Sequence, residues 1–230
     1  MVALATACSA GARDDERASA SGAAAVDAGQ GATARRTIRF VGTSLTAGQG
    51  LEPEEAFPTL IANRIDSLGL NYEVINAGVS GETSAGTLRR LDWVLRGPLD
   101  VLVLETGAND GLRGLSVDSL RGNLEAILDK VRAAHPEANV LVVGMEAPPN
   151  LGPGYTSEFR SVFPEVATEK GATYMPFLLE GVAGETDLNQ GDGIHPNAEG
   201  QRRIAEHVWP HLRALLVKRA AALSGPAARS

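Results

Sequence analysis

From Thr37 onward, short apolar runs alternate with longer stretches whose apolar residues recur at helical spacing. That alternation is the mark of successive β-α-β units feeding a parallel sheet. The short runs predict strands over 37–41, 72–76, 100–105, 139–144 and 172–175. Between them, 54–68 sets Phe57, Leu60, Ile61, Ile65 and Leu68 at helical spacing, and 84–95 does the same with Leu88, Leu91, Trp93, Val94 and Leu95. The stretch 116–134 repeats the pattern with Leu120, Leu124, Ile127, Leu128 and Val131, opened by Ser116 or a neighbour as an N-cap. A last helix over 197–217 carries Ile204, Val208, Leu212, Leu215 and Leu216, and Pro210 is expected to bend it. The stretch 147–155, rich in proline and glycine, reads as a shaped and partly mobile loop after the fourth strand. There is no internal repeat and no sign of a second domain.

The chain has 230 residues, 43% of them hydrophobic, enough for one domain with a full core. A net charge of -7, with no basic cluster larger than a pair such as Arg89-Arg90 or Arg202-Arg203, argues against nucleic acid as a partner. No run approaches the roughly 18 apolar residues of a membrane span. Residues 1–35 hold little that is large enough to bury and read as a flexible segment; 36–217 read as the folded domain and 218–230 as a disordered tail.

Cys8 is the only cysteine, which excludes a disulfide framework or a cysteine-rich zinc site within one chain. Ala5-Thr6-Ala7-Cys8 resembles a degenerate bacterial lipobox, yet only seven residues and no positively charged stretch precede it. Either the true start lies upstream and Cys8 is a lipid-anchor site, with a periplasmic or envelope location, or the match is chance and the protein is cytoplasmic.

Three predicted strands are each followed by a loop that acyl-transfer chemistry could use, and parallel strands bring such loops to one sheet edge. After the first comes Gly42-Thr43-Ser44-Leu45, after the second Asn76-Ala77-Gly78-Val79-Ser80-Gly81-Glu82, and after the third Gly107-Ala108-Asn109-Asp110. Near the far end, Asp192-Gly193-Ile194-His195-Pro196 places an acid and an imidazole three residues apart. Ester hydrolysis through serine needs an activated hydroxyl, a base and donors for the oxyanion. Ser44 is the candidate nucleophile, His195 the base and Asp192 the residue that orients it. The candidate donors are the Gly78 backbone N–H, the Asn109 side-chain amide and the N–H of Ser44 itself.

These four ordered blocks make the chain resemble an SGNH hydrolase of the GDSL esterase/lipase superfamily, in its arylesterase and thioesterase/lysophospholipase-like branch. The resemblance spans about residues 37–215. It implies a flavodoxin-like three-layer α/β/α sandwich with a five-stranded parallel sheet, and the same roles for serine, glycine, asparagine and histidine. Thr43 departs from the aspartate that most often precedes the nucleophile in that family, which puts loop rigidity and pH dependence in question.

The expected activity is hydrolysis of small carboxylic esters, short to medium acyl or aryl, without cofactor or metal. Leu151 and Tyr155 are the candidate substrate-binding residues. Acyl thioesterase, lysophospholipase and carbohydrate acetylesterase activities remain open on the same triad, and so does a catalytically silent, surface-tethered binding module. Oligomeric state is not legible. His207 and His211 stand four apart, but no third ligand completes a metal motif around them. His135 reads as a helix terminator. Gly78-Val79-Ser80-Gly81-Glu82 fails the Gly-x-Ser-x-Gly elbow at its fifth residue, and no phosphate loop appears in strand-to-helix context. Glu105, ending an apolar run, needs hydrogen-bond partners if buried and is expected near Asn109.

Overall fold

A computed structural model of the protein describes residues 34–223, with side chains up to residue 217. Cys8 and nearly all of the expected amino-terminal segment lie outside the described residues, as does the tail beyond 223.

The elements follow in the order β1 (Arg36–Gly42), α1 (Ser44–Ala47), α2 (Phe57–Ser67), β2 (Tyr72–Gly78), α3 (Ser84–Val94), β3 (Val101–Glu105), α4 (Ala108–Leu112), α5 (Val117–Ala134), β4 (Asn139–Gly144), α6 (Pro153–Glu169), β5 (Thr173–Phe177) and α7 (Ala198–Leu223). All four strand pairs are parallel and the sheet order is β2-β1-β3-β4-β5. This is the flavodoxin-like order, in which β1 sits beside both β2 and β3 and the chain reverses direction across the sheet there. Helices α3, α5 and α6 pack in succession, and α2 packs on α7, which gives a helical layer to each face.

Burial explains the strand sequences. All five residues of β3 are buried, so Val101-Leu102-Val103-Leu104 can be apolar without alternation, as expected of a strand covered on both faces. The edge strand β2 is half exposed and mixes Glu73 and Asn76 with Val74 and Ile75. Helices close the core with Ile61 and Ile65 of α2, Leu120, Leu124 and Ile127 of α5, and Ile204, Val208 and Leu212 of α7, all buried at helical spacing. Phe40 of β1 meets Phe57 of α2 edge-on, with ring centroids 5.6 Å apart. Among the described residues no helix is long and apolar enough to cross a membrane.

Three expectations change. Residues 153–169 form α6, where the sequence reading placed no helix and treated 147–155 as a loop. Pro153 occupies the first turn, where its missing N–H costs nothing, and Phe159, Val162, Phe163 and Val166 bury the helix against the core. The prolines and glycines that suggested a mobile wall are thus partly the start of a helix. The last helix also runs to Leu223, past its expected end at 217, and continues through Pro210. Finally, short helical turns, α1 and α4, form where the sequence reading placed only loops after β1 and β3.

Candidate active site

The carboxyl edge of the sheet gathers every chemistry-bearing loop. Strand β1 ends at Gly42, and Ser44 opens α1 directly after it, so its hydroxyl sits at the sheet edge and its N–H at the start of a helical turn, where no intrahelical carbonyl can accept it. Ser44 is only 7% exposed.

Ser44 Oγ lies 3.0 Å from His195 Nε2, and His195 Nδ1 lies 2.6 Å from Asp192 Oδ2. The other carboxylate oxygen, Asp192 Oδ1, accepts the backbone N–H groups of Ile194 at 2.9 Å and His195 at 3.0 Å. The hydrogen bond from the His195 ring, joined by those two backbone donors, holds the Asp192 carboxyl well below the usual carboxylate range. The acid therefore stays ionised and fixes the ring with Nδ1 as donor and Nε2 free to accept from Ser44. Two side chains 151 residues apart in sequence come together because the histidine loop is tied to the nucleophile segment. Gln190 donates to the Gln49 carbonyl at 2.7 Å, and Gln201 of α7 donates to the Leu45 carbonyl at 3.2 Å.

Beneath Ser44 lies a carboxyl that the sequence placed elsewhere. Glu105, at the end of β3, is 1% exposed and faces the nucleophile turn rather than Asn109. It accepts from Thr43 N at 2.7 Å, from Thr43 Oγ1 at 3.0 Å and from Thr46 Oγ1 at 2.9 Å. Burial pushes its pKa up, and the donors from Thr43 and Thr46 offset part of that rise. Thr43 is a suitable partner here, since its hydroxyl can donate where the family's usual aspartate could not without a proton.

Gly78, the last residue of β2, and Gly81, in the loop that follows, are placed differently with respect to Ser44. The Gly78 N–H is taken by Asn76 Oδ1 at 3.0 Å, and a Cβ at Gly78 would stand 2.3 Å from Ala47 N and 2.8 Å from Ala47 Cα and the Thr46 carbonyl carbon. Gly78 is thus the close-packed backstop of the turn carrying Ser44, helped by Asn76 Nδ2, which donates to the Thr46 carbonyl at 2.9 Å. Gly81 instead lines the cavity beside Ser44, Asn109 and His195. Its φ of 76° lies in the left-handed region that glycine adopts without strain, and no group among the described residues accepts from its N–H. Asn109 Nδ2 donates to the Glu82 carbonyl at 3.0 Å, which orients the amide and leaves it a second hydrogen.

The cavity at this edge measures about 520 Å³, within the usual span of small-molecule sites. Leu112, Met145, Ala147, Pro148, Phe177 and Leu179 give it largely apolar walls. Neither Leu151 nor Tyr155 lines it, which corrects the expectation for both. Leu151 packs against the core, and Tyr155 donates its hydroxyl to the Leu115 carbonyl at 2.7 Å while stacking on Phe159 at a centroid distance of 6.0 Å. The wall contributed by Phe177 at the end of β5 and Leu179 just beyond it was missed, because nothing in that short segment carries a polar motif.

The remaining histidines are placed outside the site. His207 Nε2 meets the Phe177 carbonyl at 3.1 Å, its ring stands edge-on to His211 at 6.0 Å, and burial lowers the His211 pKa. His135 Nε2 meets the Leu95 carbonyl at 2.8 Å at the end of α5. Among the described residues no group of three or more metal-ligating side chains comes together.

The chain is similar to proteins already known. Residues 40–203 match the GDSL-like Lipase/Acylhydrolase family. The esterase TesA of Pseudomonas aeruginosa is 42% identical over 184 residues, covering 80% of this chain and 90% of its own. The thioesterase 1/protease 1/lysophospholipase L1 of Escherichia coli K12 is 36% identical over 187 residues, covering 80% of this chain and 87% of its own. In structure, the psychrotrophic esterase EstA from Pseudoalteromonas sp., solved in a form inhibited by monoethylphosphonate, superposes with a TM-score of 0.74 at 37% identity, over 79% of this chain and 98% of that one.

Proposed function

The chain belongs to the GDSL-like lipase/acylhydrolase family and is a carboxylic ester hydrolase, and we propose that it works through an acyl-enzyme formed on Ser44. Ser44 Oγ attacks the acyl carbonyl while His195 Nε2 takes its proton, and the carbonyl π pair moves to the oxygen. The ionised Asp192 stabilises the imidazolium through Nδ1. The N–H groups of Ser44 and Gly81 and the Asn109 amide stabilise the oxyanion. Collapse of the tetrahedral species expels the alkoxide, which leaves with the proton from His195; water then attacks the acyl-enzyme by the same route and releases the acid. The oxyanion role falls to Gly81 rather than Gly78, because only Gly81 is a wall of the cavity.

One observation carries the reading: the unbroken chain Ser44 Oγ–His195 Nε2–Asp192, at 3.0 and 2.6 Å. It also weighs against a silent binding module, which has no use for an oriented imidazole on a buried serine. The apolar walls support a short to medium acyl chain or an aryl ester over an acetylated sugar, whose hydroxyls would find few partners there. The hydrolase unit we assign spans 36–217. We also assign an envelope location with Cys8 as the lipid-bearing residue, on the lipobox-like Ala5-Thr6-Ala7-Cys8. A free thiol on Cys8 in protein from the native host would remove the anchor.

Ser44→Ala is the direct test of the mechanism. It is expected to abolish p-nitrophenyl butyrate hydrolysis while leaving the unfolding transition in place. Retained turnover would move the nucleophile elsewhere.

A further inference from the structure

The Asn109 amide is aimed by the backbone carbonyl of Glu82, and the Glu82 side chain has a role of its own that the steps above leave unused. Instead of reaching into solvent it folds back across the first turn of α3. A Cβ on Gly86, the third residue of that helix, would stand 2.6 Å from Glu82 Cγ, so any larger residue there would push the carboxylate aside. Glycine is a poor helix former, and the room it leaves for Glu82 accounts for its place inside α3. The carboxylate meets Arg90 of the same helix. Both its oxygens lie 2.8 Å from Nε, and Oε2 lies 2.7 Å from Nη2, with the two side chains only 9% and 18% exposed. Glu82 Oε2 also accepts from Thr87 Oγ1 at 3.1 Å.

Each partner of that carboxylate leads to a segment of the site. Arg90 Nη2 donates at 3.4 Å to the carbonyl of Gly42, two residues before Ser44, and the same carbonyl takes the Val79 N–H at 2.8 Å. Thr87 Oγ1 lies 3.1 Å from Oγ1 of Thr106, three residues before Asn109, and both threonines are buried. One carboxylate thus links the end of β1, the loop after β2 and the end of β3, from which Ser44, Gly81 and Asn109 follow. The backbone between them needs a tether, because Val79, Ser80 and Gly81 are exposed and Gly81 is in the left-handed region. Further along, Asp110 accepts the Ser84 N–H at 2.8 Å and its hydroxyl at 2.6 Å, which pins the start of α3 but leaves the Glu82 peptide two residues upstream to be held by its own side chain. A carbonyl that swings takes the Asn109 amide with it, and an oxyanion donor is effective only where it is aimed beforehand. We infer that Glu82, braced by Arg90, is a positioning residue: its carboxylate fixes the peptide whose carbonyl aims Asn109 Nδ2. Glu82 is not a wall of the apolar cavity, so its loss acts on the transition state through Asn109 and not on ester binding. The inference rests on the hydrolase reading above and extends it to a pair behind the oxyanion donors.

A double-mutant cycle on p-nitrophenyl butyrate turnover tests it, built from Glu82→Ala, Asn109→Ala and the two together, with kcat taken per folded molecule from urea unfolding. Removing an oxyanion donor outright costs about 100- to 1000-fold in kcat, so misaiming one through Glu82→Ala is expected to cost about tenfold or more, with KM within about twofold of the parent. In the Asn109→Ala background the same substitution should lower kcat by no more than about twofold, because the amide it aims is already gone. Glu82→Asp keeps a carboxylate that the long Arg90 side chain can follow, and should recover most of the lost kcat. Should Glu82→Ala fail to fold, Arg90→Met breaks the same pair from its other side and takes its place in the cycle with the same expectations. An equal fold-loss in the two backgrounds, a folded Glu82→Ala with the kcat of the parent, or a loss that appears in KM alone overturns the positioning role. In each of those cases the parent still turns over the ester and the hydrolase reading stands, whereas a parent without turnover overturns both.

Discussion

Replacing Glu105 with alanine removes the acceptor for several donors in one buried turn, among them Thr43 N–H at 2.7 Å, Thr43 Oγ1 at 3.0 Å and Thr46 Oγ1 at 2.9 Å. A buried donor left without a partner costs about 1–3 kcal/mol. The two hydroxyls can rotate, whereas the Thr43 N–H is fixed by the backbone and carries that cost in full. Truncating a fully buried side chain adds a cavity cost of about 1–3 kcal/mol, and deleting a carboxyl whose ionised form is disfavoured by burial returns part of it. The net expectation is a loss of about 2–4 kcal/mol for Glu105→Ala. Glu105→Gln keeps the volume and one acceptor oxygen for the Thr43 N–H, with an expected loss of about 1 kcal/mol. Because these donors belong to the turn that carries Ser44, the alanine variant should also lose turnover through a disordered nucleophile, and the glutamine variant should retain most of it. Urea unfolding by tryptophan fluorescence, paired with kcat on p-nitrophenyl butyrate, reads both quantities. The raised pKa adds a pH signature. Below the unfolded-state pKa, near 4.5, the neutral acid gives its full stabilisation, and this is lost as pH rises from there through the folded-state value. Glu105→Gln lacks that loss, so the stability advantage of the parent over it should shrink with rising pH. Equal unfolding midpoints and equal kcat for the alanine and glutamine variants would refute the reasoning.

Asp192→Asn should reduce kcat by about a thousandfold to ten-thousandfold with little change in stability, because Oδ1 can still accept from Ile194 and His195 N–H while the new amide faces Nδ1 as a donor and favours the wrong tautomer; circular dichroism and ester kinetics together check this. Gly78→Ala should destabilise the fold by about 3 kcal/mol or more, since its Cβ would meet the Ala47 backbone nitrogen at 2.3 Å, where no side chain can move aside; a thermal melt within a degree or two of the parent would contradict the packing described.

How far the sequence carried the account depended on what each feature relies on. Strand β3 was legible because a strand covered on both faces is apolar throughout, and the contact between Asp192 and His195 because it depends on a local three-residue turn. Helix α6 was not, since the prolines and glycines of 147–155 read as a loop, although proline in a first turn is compatible with a helix and the buried Phe159, Val162, Phe163 and Val166 supply the packing. Gly78 and Gly81 stand only three apart, and it is the packing of the end of β2 against Ala47 that makes Gly78 back the turn while Gly81, in the following loop, faces the cavity. Leu151 and Tyr155 were plausible walls by sequence distance, yet the start of α6 turns them to the core and to the Leu115 carbonyl. Glu105 was rightly singled out as a buried acid in need of partners, but β1 lies next to β3 in the sheet, and this pairing brings the Thr43 turn over its carboxyl.

Covalent capture of the nucleophile is the most direct test of the central claim that Ser44 is activated by His195. Incubation with a p-nitrophenyl alkylphosphonate, followed by peptide mass spectrometry, should place a single phosphonyl group on Ser44 with release of one p-nitrophenol. His195→Ala should slow that labelling by orders of magnitude while remaining folded. A folded protein that stays unlabelled at Ser44, or that is labelled equally fast without His195, would contradict the account.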